Sequence, residues 1–306
     1  MKIYINRKPA KGPWGGGNKT LSALCDTISE SENELTFKLS EDVDTIVCFD
    51  PRPNETGEWY QSLLDHREKF GSRIVQRVGD VGTHGKPELT NLVYQSVHLS
   101  DFVIFPSMWA KRYIRFNNQN CIVVNNRPLS IFHDNKQNST LSNKVKIVTH
   151  HWSTNIKKGF SAYDYLSRFC KNKSLEFEFT FVGRVPEGFK PDGMKIIDPR
   201  DVSFLAEFLP RQDIYVTASL EEAGANHVLE AMAAGLPIVY HENGGSISEY
   251  CSEYGISFTD NASLIASIQS IKNSYKIYKN RVLQYDQTID RTIDAYMDII
   301  CEAGSI

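Results

Sequence analysis

Short β-branched runs alternate with amphipathic helical stretches along this sequence, and the alternation occurs twice. In the first half, the pattern predicts strands at Lys2–Ile5, Leu35–Leu39, Thr45–Phe49, Arg73–Val78, Phe102–Phe105 and Cys121–Val124. In the second half, it predicts strands at Lys144–Thr149, Glu176–Val182, Met194–Ile197, Ile214–Ala218 and Ile238–Tyr240. This alternation is typical of mostly parallel sheets with helices on both faces. We therefore expect an α/β chain with two Rossmann-like sheets.

A polar, turn-rich segment at residues 127–143 separates the two halves and shows no clear periodicity. Two domains are also what a chain of 306 residues favours. We expect a first domain over residues 1–135 and a second over residues 144–285. One long helix is predicted over residues 263–283, and a last helix at about 286–302 is expected to pack back on the first domain.

Composition excludes several classes of protein. The net charge of -3 gives no basic domain of the kind that binds nucleic acid. No run of apolar residues is long enough for a membrane-spanning helix, and the N-terminus has no signal-peptide pattern. The six cysteines are widely spaced in apolar patterns, so we expect reduced thiols in a cytoplasmic protein and no zinc site.

The segment TASLEEAGANHVLEAMAAGLPIVYHENGGSISEY, residues 217–250, carries the strongest signal for a ligand site. It leaves the end of a strand, passes through a loop of small residues and enters a helix that carries Glu230. Ligands of open parallel sheets bind beyond the carboxyl ends of strands, and a helix start favours an anion such as a diphosphate. Glu222 and Glu230 supply carboxylates that could accept hydrogen bonds from sugar and ribose hydroxyls. As an isolated pair they would more simply be surface residues, but the order of loop, helix and turns favours a site.

The seven residues between Glu222 and Glu230 resemble the Glu-x7-Glu signature of family-4 retaining glycosyltransferases, also described as glycosyl transferases group 1. The flanking LEAMAAGLPIV and GGSISEY are similar to the same family. The resemblance implies the GT-B fold, in which two Rossmann-like domains with parallel sheets face each other across a cleft. It also implies that the second domain binds a nucleoside diphosphate sugar.

The resemblance also assigns roles within the second domain. Glu230 would bind the nucleotide ribose, Glu222 would lie near the donor sugar, and backbone amides of Ala223, Gly224, Ala225 and Asn226 would contact sugar and phosphate. Ala223 and Ala225 stand where the family usually has glycine.

Lys158, in HHWSTNIKKGF, matches the family lysine that meets the diphosphate, and a lysine at a helix start suits phosphate. The family's partner arginine is replaced by Ser153, and Arg184 is a possible substitute. His150 and His151 end a strand and either line the cleft or have a structural role.

In the first domain, the resemblance points to two more loops. Gly16 and Gly17 lie in a glycine-rich loop before a helix, where the family contacts the diphosphate and faces the acceptor. His84 is a candidate for the histidine that orients the donor near the reacting carbon. Asp50 and Arg52 end a strand and could shape an acceptor pocket.

The function expected is a hexosyltransferase-type glycosyltransferase that acts with retention of configuration, with Lys158, Glu222 and His84 at the reaction centre. Acceptors could be a glycan, a lipid-linked sugar or a small molecule, which leaves room for peripheral membrane contact. No cofactor or metal is expected, and the string Asp42-Val43-Asp44 is interpreted as a turn. Two alternatives stay open: a sugar-nucleotide epimerase on the same fold, and a non-catalytic sugar-nucleotide-binding partner subunit.

Overall fold

The computed structural model describes residues 1–10 and 16–304. These residues form two compact units, each built on a six-stranded sheet. The first unit holds residues 1–10, 16–126 and 289–304, and the second holds residues 127–288. The strand pairs of both sheets are parallel. The α/β class with two Rossmann-like sheets is therefore confirmed.

The first unit alternates strands and helices along the chain. Its elements are β1 (Lys2–Ile5), α1 (Gly16–Glu30), β2 (Glu34–Thr36), β3 (Thr45–Cys48), α2 (Tyr60–Phe70), β4 (Arg73–Arg77), α3 (Pro87–Leu99), β5 (Phe102–Phe105), α4 (Met108–Tyr113) and β6 (Cys121–Val123). The strand order is β2-β1-β3-β4-β5-β6. The central strands are almost fully buried, because helices cover both faces of a parallel sheet.

The second unit repeats this arrangement. Its elements are α5 (Ile131–Asp134), β7 (Val145–His151), α6 (Phe160–Asn172), β8 (Phe177–Gly183), β9 (Met194–Ile197), α7 (Val202–Phe208), β10 (Ile214–Thr217), α8 (Asn226–Ala233), β11 (Ile238–His241), α9 (Ser246–Cys251), β12 (Gly255–Phe258), α10 (Asn261–Asn273) and α11 (Tyr275–Leu283). The strand order is β12-β11-β10-β7-β8-β9. Two buried clusters of apolar side chains cover the sheet.

The chain ends in helix α12 (Asp290–Gly304), which lies in the first unit. It contacts α1, β3 and β4. The side chains of Ile293, Tyr296 and Ile300 are buried, and they recur at the helical spacing seen in the sequence.

Three elements of the second unit differ from the sequence prediction. Strand β12 was not predicted, and the single long helix expected over residues 263–283 is two helices, which break at Ser274. The segment 127–143 belongs to the second unit and contains the short helix α5. The Phe132 side chain in α5 is fully buried, and Lys136 donates to the carbonyl of Tyr285 at 2.6 Å. These contacts order a segment that has no periodicity of its own.

The two glycines expected in a loop before α1 are instead its first two residues, Gly16 and Gly17. Apolar residues later in this helix, among them Leu21, Leu24 and Ile28, are buried against the unit's core. Tertiary packing of such a face supplies most of a helix's stability, so it can extend the helix through two poor helix formers. Gly15, the first glycine of the run, lies outside the described residues.

The Asp42-Val43-Asp44 string is a turn before β3, as expected. The Asp42 carboxylate pairs with the Lys2 ammonium at 2.9 Å, and the Asp44 carboxylate accepts from the Lys2 backbone N–H at 2.6 Å. Within residues 1–10 and 16–304, no group of three or more His, Cys, Asp or Glu side chains is arranged to hold a metal ion. No helix in the same residues is long and apolar enough to cross a bilayer.

Candidate functional site

Most of the residues singled out in the second half follow three neighbouring strands, β7, β10 and β11. All three strands are parallel, so their carboxyl ends meet at one edge of the sheet. The loops that leave this edge are residues 152–159, 218–225 and 242–245. Ligands of open parallel sheets bind at such an edge.

A short 3₁₀ turn at Ile156–Lys158 presents Lys158 at this edge. The Asn155 side chain caps the turn by accepting from the Lys157 N–H at 2.9 Å, and the Leu220 N–H donates to the Lys157 carbonyl at 2.8 Å. Gly159 closes the turn at φ 87°, where a Cβ would lie 2.3 Å from the Ala218 Cβ. Only glycine therefore lets the lysine turn approach the end of β10 so closely.

Two lysines of this turn pair with the two consecutive glutamates after β10. Lys157 binds Glu221, and Lys158 binds Glu222. The second pair is the more enclosed, because its side chains are 12% and 13% exposed, against 36% and 41% in the first. Enclosure weakens screening by water, so the charges of Lys158 and Glu222 act more strongly on a nearby ligand.

The loop that carries Glu222 is fixed by the turn before α9. The Glu222 N–H donates to the Gly244 carbonyl at 3.1 Å, and the Ser246 N–H donates to the Glu222 carbonyl at 2.8 Å. Gly245 has φ 72°, and a Cβ there would lie 2.5 Å from the backbone carbonyl oxygen of Glu222. Glu221 itself adopts φ 53°, a conformation that costs a non-glycine residue about 1–3 kcal/mol and often marks a functional loop.

Glu230 lies in the second turn of α8 and is only 4% exposed. Its carboxylate is 3.0 Å from the Nε2 of His150, the residue before the last of β7. The other ring nitrogen, Nδ1, lies 3.1 Å from the Tyr215 hydroxyl, and burial raises the pKa of Tyr215 well above its usual value. When this neutral hydroxyl donates to Nδ1, the ring proton stays on Nε2 and is donated to Glu230. These hydrogen bonds, from Tyr215 through His150 to Glu230, thus hold the buried Glu230 carboxylate in one orientation.

His227, in the first turn of α8, lies among the same charged groups. Its Nε2 is 3.0 Å from the Thr217 hydroxyl, and its ring contacts those of His150 and His151. Burial lowers the pKa of His227 to about 3, while the nearby Glu222 carboxylate acts in the opposite direction. The imidazole is therefore neutral at physiological pH.

Two buried polar atoms of this region have no hydrogen-bond partner among the described residues. They are the hydroxyl oxygen of Ser219, just after β10, and the side-chain oxygen of Asn226, the first residue of α8. Buried polar atoms in native proteins are nearly always satisfied. The region is therefore suited to a ligand that brings hydroxyl or N–H donors.

Arg184 leaves the neighbouring strand, β8, and is exposed. Its guanidinium stacks on the Trp152 ring at 3.9 Å from the ring centre. Trp152 directly precedes Ser153, the residue that replaces the family's arginine. Arg184 therefore brings a positive charge over the Trp152 ring, and its role as a substitute for the arginine stays a prediction.

The remaining predicted residues, Gly16, Gly17 and His84, lie in the first unit. His84 belongs to a turn after β4 and is partly exposed. The Asp80 carboxylate orders this turn by accepting from the Gly82 N–H at 2.8 Å and from the Lys86 ammonium at 2.7 Å. Like the two glycines at the start of α1, the turn lies at the carboxyl edge of its sheet.

The first unit also contains an open cavity of about 550 Å³ at the ends of β1 and β3. Its charged lining includes Arg7, Lys8, Asp50 and Arg52. Arg52 makes a double contact to Asp50, with its Nε at 3.0 Å and its Nη2 at 2.6 Å from the two carboxylate oxygens. Burial acts to raise the pKa of Asp50, but the hydrogen bonds from Arg52 outweigh it and lower that pKa. The expectation that Asp50 and Arg52 shape a pocket agrees with this lining.

A family model matches part of the second unit. Residues 153–273, which lie wholly within the second unit, match the family described as "Glycosyl transferases group 1". This segment of the second unit is similar to glycosyl transferases of group 1, and the chain is a glycosyltransferase. The match includes Lys158, Glu222 and Glu230 and confirms the resemblance to glycosyl transferases group 1.

Three solved structures with the same fold superpose on nearly the full length of this chain. The sucrose-phosphate synthase of Thermosynechococcus elongatus superposes with a TM-score of 0.68 at 13% identity, over 100% of this chain and 98% of its own. HepE of Anabaena, solved in complex with UDP and glucose, has a TM-score of 0.71 at 11% identity and covers 98% and 99%. WaaG, a glycosyltransferase involved in lipopolysaccharide biosynthesis, has a TM-score of 0.67 at 12% identity, with coverages of 98% and 99%. These likenesses confirm the GT-B fold class.

A search of the curated proteins gave no match to this sequence. The family match therefore rests on residues 153–273, and the fold rests on the solved structures.

Within the glycosyltransferase, one edge of the second sheet brings together most of the predicted donor residues. They are Lys158, Arg184, Glu222, Ala223, Gly224, Ala225, Asn226 and Glu230. Sequence reasoning missed His227 and Tyr215 and left His150 undecided. Two features of the sequence could have indicated these residues. They are His150 and His151 at the end of a buried strand, and His227 beside Asn226.

Proposed function

We propose that this glycosyltransferase transfers a hexose from a nucleoside diphosphate sugar to an acceptor with retention of configuration. One observation carries the proposal. The enclosed Lys158–Glu222 pair lies at the same sheet edge as the buried Glu230, which His150 orients. A positive charge for phosphate and two carboxylates for hydroxyls are the groups that a nucleotide sugar requires.

Each group has a proposed role. Glu230 accepts hydrogen bonds from the ribose hydroxyls, and Glu222 lies near the donor sugar. Amides within residues 223–226 contact sugar and phosphate at the start of α8, where a helix favours an anion, although the Ala225 N–H donates to the Ser246 hydroxyl at 3.1 Å in this structure. Lys158 stabilises the negative charge that grows on the leaving diphosphate. Such electrostatic stabilisation is a large part of the rate enhancement in catalysis of this kind. Arg184 assists Lys158.

The first unit supplies the acceptor side in this proposal. Gly16 and Gly17 approach the diphosphate, and His84 orients the donor near the reacting carbon. The cavity lined by Arg7, Asp50 and Arg52 receives part of the acceptor, which is a glycan, a lipid-linked sugar or a small molecule. Because HepE was solved with UDP and glucose, uridine nucleotides are the first donors to test.

We further propose that the reaction needs no metal and no cofactor, and that the protein works in the cytoplasm. Lys158 and the amides at the start of α8 are suited to neutralise the diphosphate. The cysteines of the described residues are free thiols, and Cys25, Cys48, Cys170 and Cys251 are buried, which fits a reducing compartment.

The test is release of nucleoside diphosphate from UDP-glucose, UDP-N-acetylglucosamine, GDP-mannose and ADP-glucose, with and without a mixture of acceptors. Lys158→Ala should lower kcat for the active donor by roughly a hundredfold, the scale of one lost transition-state contact. Lys157→Ala is the matched control, because the neighbouring lysine makes a similar but more exposed pair. Equal turnover in the two variants would remove Lys158 from the mechanism. Conversion of the donor alone into an isomer would indicate a sugar-nucleotide epimerase. Binding of a donor without turnover would indicate a non-catalytic partner subunit.

A further inference from the structure

Exposed apolar side chains are concentrated on one part of the first unit. Ten large apolar side chains are exposed among residues 1–10 and 16–304, and five of them lie between residues 94 and 122. These five are Tyr94, Leu99, Met108, Tyr113 and Ile122. Large exposed apolar patches mark places where a protein or a membrane binds. The proposed reaction gives this part of the surface no role.

The path of the chain brings the helices of this region to one face of the sheet. Strands β3, β4, β5 and β6 are neighbours in chain order, so the right-handed connections α2, α3 and α4 pass over the same face. The Tyr94 ring in α3 contacts that of His98 at 4.9 Å, and His98 contacts Phe116 at 5.1 Å. Within α4, the Trp109 and Tyr113 rings stack at 5.1 Å. The aromatic surface therefore spans α3, α4 and the turn after α4.

The charge of this region differs from that of the whole protein. The net charge of the chain is -3, but residues 102–133 contain no Asp or Glu and four Lys or Arg residues. Three of the four, Lys111, Arg112 and Arg115, lie in α4 or in the turn after it. Neither Lys111 nor Arg115 forms an ion pair with any residue that the structure describes. Their positive charge is therefore available to an anionic surface.

Arg115 also has a strained backbone. It has φ 56° and is exposed. The Phe116 N–H donates to the Lys111 carbonyl at 3.2 Å, so Arg115 occupies the left-handed position at a helix end where glycine is usual. An arginine at such a position costs stability that glycine would not cost, and backbone strain of this kind is found at functional sites. A strained residue with an exposed cation and no ion pair favours a role in binding.

We propose that α3, α4 and the turn after α4 dock the first unit on a bilayer that contains anionic lipids. Tyr94, Met108 and Tyr113 enter the boundary between headgroups and acyl chains, where rings with a polar tip are favoured. Lys111 and Arg115 meet the lipid phosphates. A bilayer fits this surface because it takes up exposed apolar side chains and cations together. Among the proposed acceptors, such docking favours the lipid-linked sugar.

The experiment is sedimentation of the full chain with vesicles at low and at physiological salt. One vesicle preparation is phosphatidylcholine alone, and the other contains an equal amount of phosphatidylglycerol. Arg115→Gly removes a cation and relieves the backbone strain, and Tyr113→Ser removes an exposed ring. Lys38→Gln is the matched control for charge, because it removes an exposed lysine of the same unit. Leu175→Ser is the control for apolar surface, because Leu175 is 91% exposed and lies in the second unit.

We expect the wild type to bind the anionic vesicles more tightly than the neutral ones, with weaker binding at higher salt. Arg115→Gly should weaken binding to the anionic vesicles roughly fivefold, the scale of one cation near such a surface. Its melting temperature should stay equal or rise, because glycine fits φ 56°. Tyr113→Ser should also weaken binding, and neither control variant should. A loss of binding without a loss of stability distinguishes docking from a role in folding.

Absence of wild-type binding to anionic vesicles would overturn the surface, and so would equal binding of the wild type, Arg115→Gly and Tyr113→Ser. Binding to heparin without binding to vesicles would also overturn it, because charge alone would then explain the interaction. Vesicle binding needs no nucleotide sugar. A failure of the proposed reaction would therefore not be mistaken for a failure of this surface.

Discussion

At the scale of single residues, His150 links the candidate site to the sheet beneath it. Its ring joins the Tyr215 hydroxyl to the Glu230 carboxylate through contacts of 3.1 and 3.0 Å. We predict that His150→Phe, which removes both contacts, weakens nucleoside diphosphate binding by about 1.5–3 kcal/mol. His150→Gln should retain part of the affinity, because its amide can still donate.

Calorimetry with UDP and 2′-deoxy-UDP checks this prediction. If His150 acts through the ribose contact of Glu230, His150→Phe should cause little further loss in a Glu230→Ala background, because the two residues form one unit. Additive losses in folded variants would show that His150 acts independently of Glu230.

His227 gives a prediction for the pH dependence of stability. Its folded-state pKa of about 3 lies below the ordinary value of 6.5. Between these values the unfolded chain binds a proton that the folded chain does not, so stability falls as the pH falls. At about pH 5 this single group should cost about 2 kcal/mol relative to about pH 7.5.

Urea unfolding of the wild type and of His227→Gln at these two pH values measures the effect. The variant should lose less stability on acidification, with a difference of about 2 kcal/mol at most. An equal loss in the two proteins would mean that the His227 imidazole is accessible to protons in the folded state.

At the scale of elements, the turn that carries Lys158 depends on one glycine. Gly159→Ala places a side chain at φ 87° and 2.3 Å from the Ala218 Cβ. The backbone strain alone costs about 1–3 kcal/mol, and the turn must move away from β10 to relieve the clash. We expect lower stability and a loss of turnover as large as that of Lys158→Ala.

Gly188→Ala is the matched control for that variant. Gly188 also has a positive φ, of 75°, but its Cβ would meet no atom within 4 Å. It should share the backbone strain and keep normal turnover. Equal turnover in Gly159→Ala and Gly188→Ala would show that the position of the turn does not matter for the reaction.

Much of the fold could be predicted because apolar residues recur at a different spacing in strands and in helices. The predicted strands have observed counterparts whose ends agree within a few residues. Strand β12 was missed because its sequence, GISF, is short and only half buried. The break at Ser274 was missed because apolar residues continue into α11, among them the buried Tyr275 and Val282.

The candidate site could be predicted in part, since its motifs follow strand ends and contiguous loops. The pairing of His150 with Glu230 could not, because 80 residues separate them and only the packing of α8 on the sheet brings them together. Contacts of this kind depend on tertiary structure and leave no local pattern.

At the scale of the whole molecule, we predict that activity survives chelation. The two carboxylates of the Asp42-Val43-Asp44 string are engaged by Lys2, and Lys158 can meet the diphosphate instead. Turnover of the active donor in EDTA should equal turnover in magnesium or manganese. Complete loss in EDTA that manganese restores would contradict the metal-free reaction.

Ligand-dependent melting of the full chain tests the central claim most directly, namely that the second unit binds a nucleotide sugar at Glu230. A ligand that binds only the folded state stabilises it by about 2.7 kcal/mol at a hundredfold excess over Kd. One of UDP-glucose, UDP-N-acetylglucosamine, GDP-mannose and ADP-glucose should raise the melting temperature of the wild type. It should do the same for Glu253→Ala, which removes an exposed glutamate after α9, but not for Glu230→Ala. No shift with any of the four donors, or an equal shift in Glu230→Ala, would contradict the account.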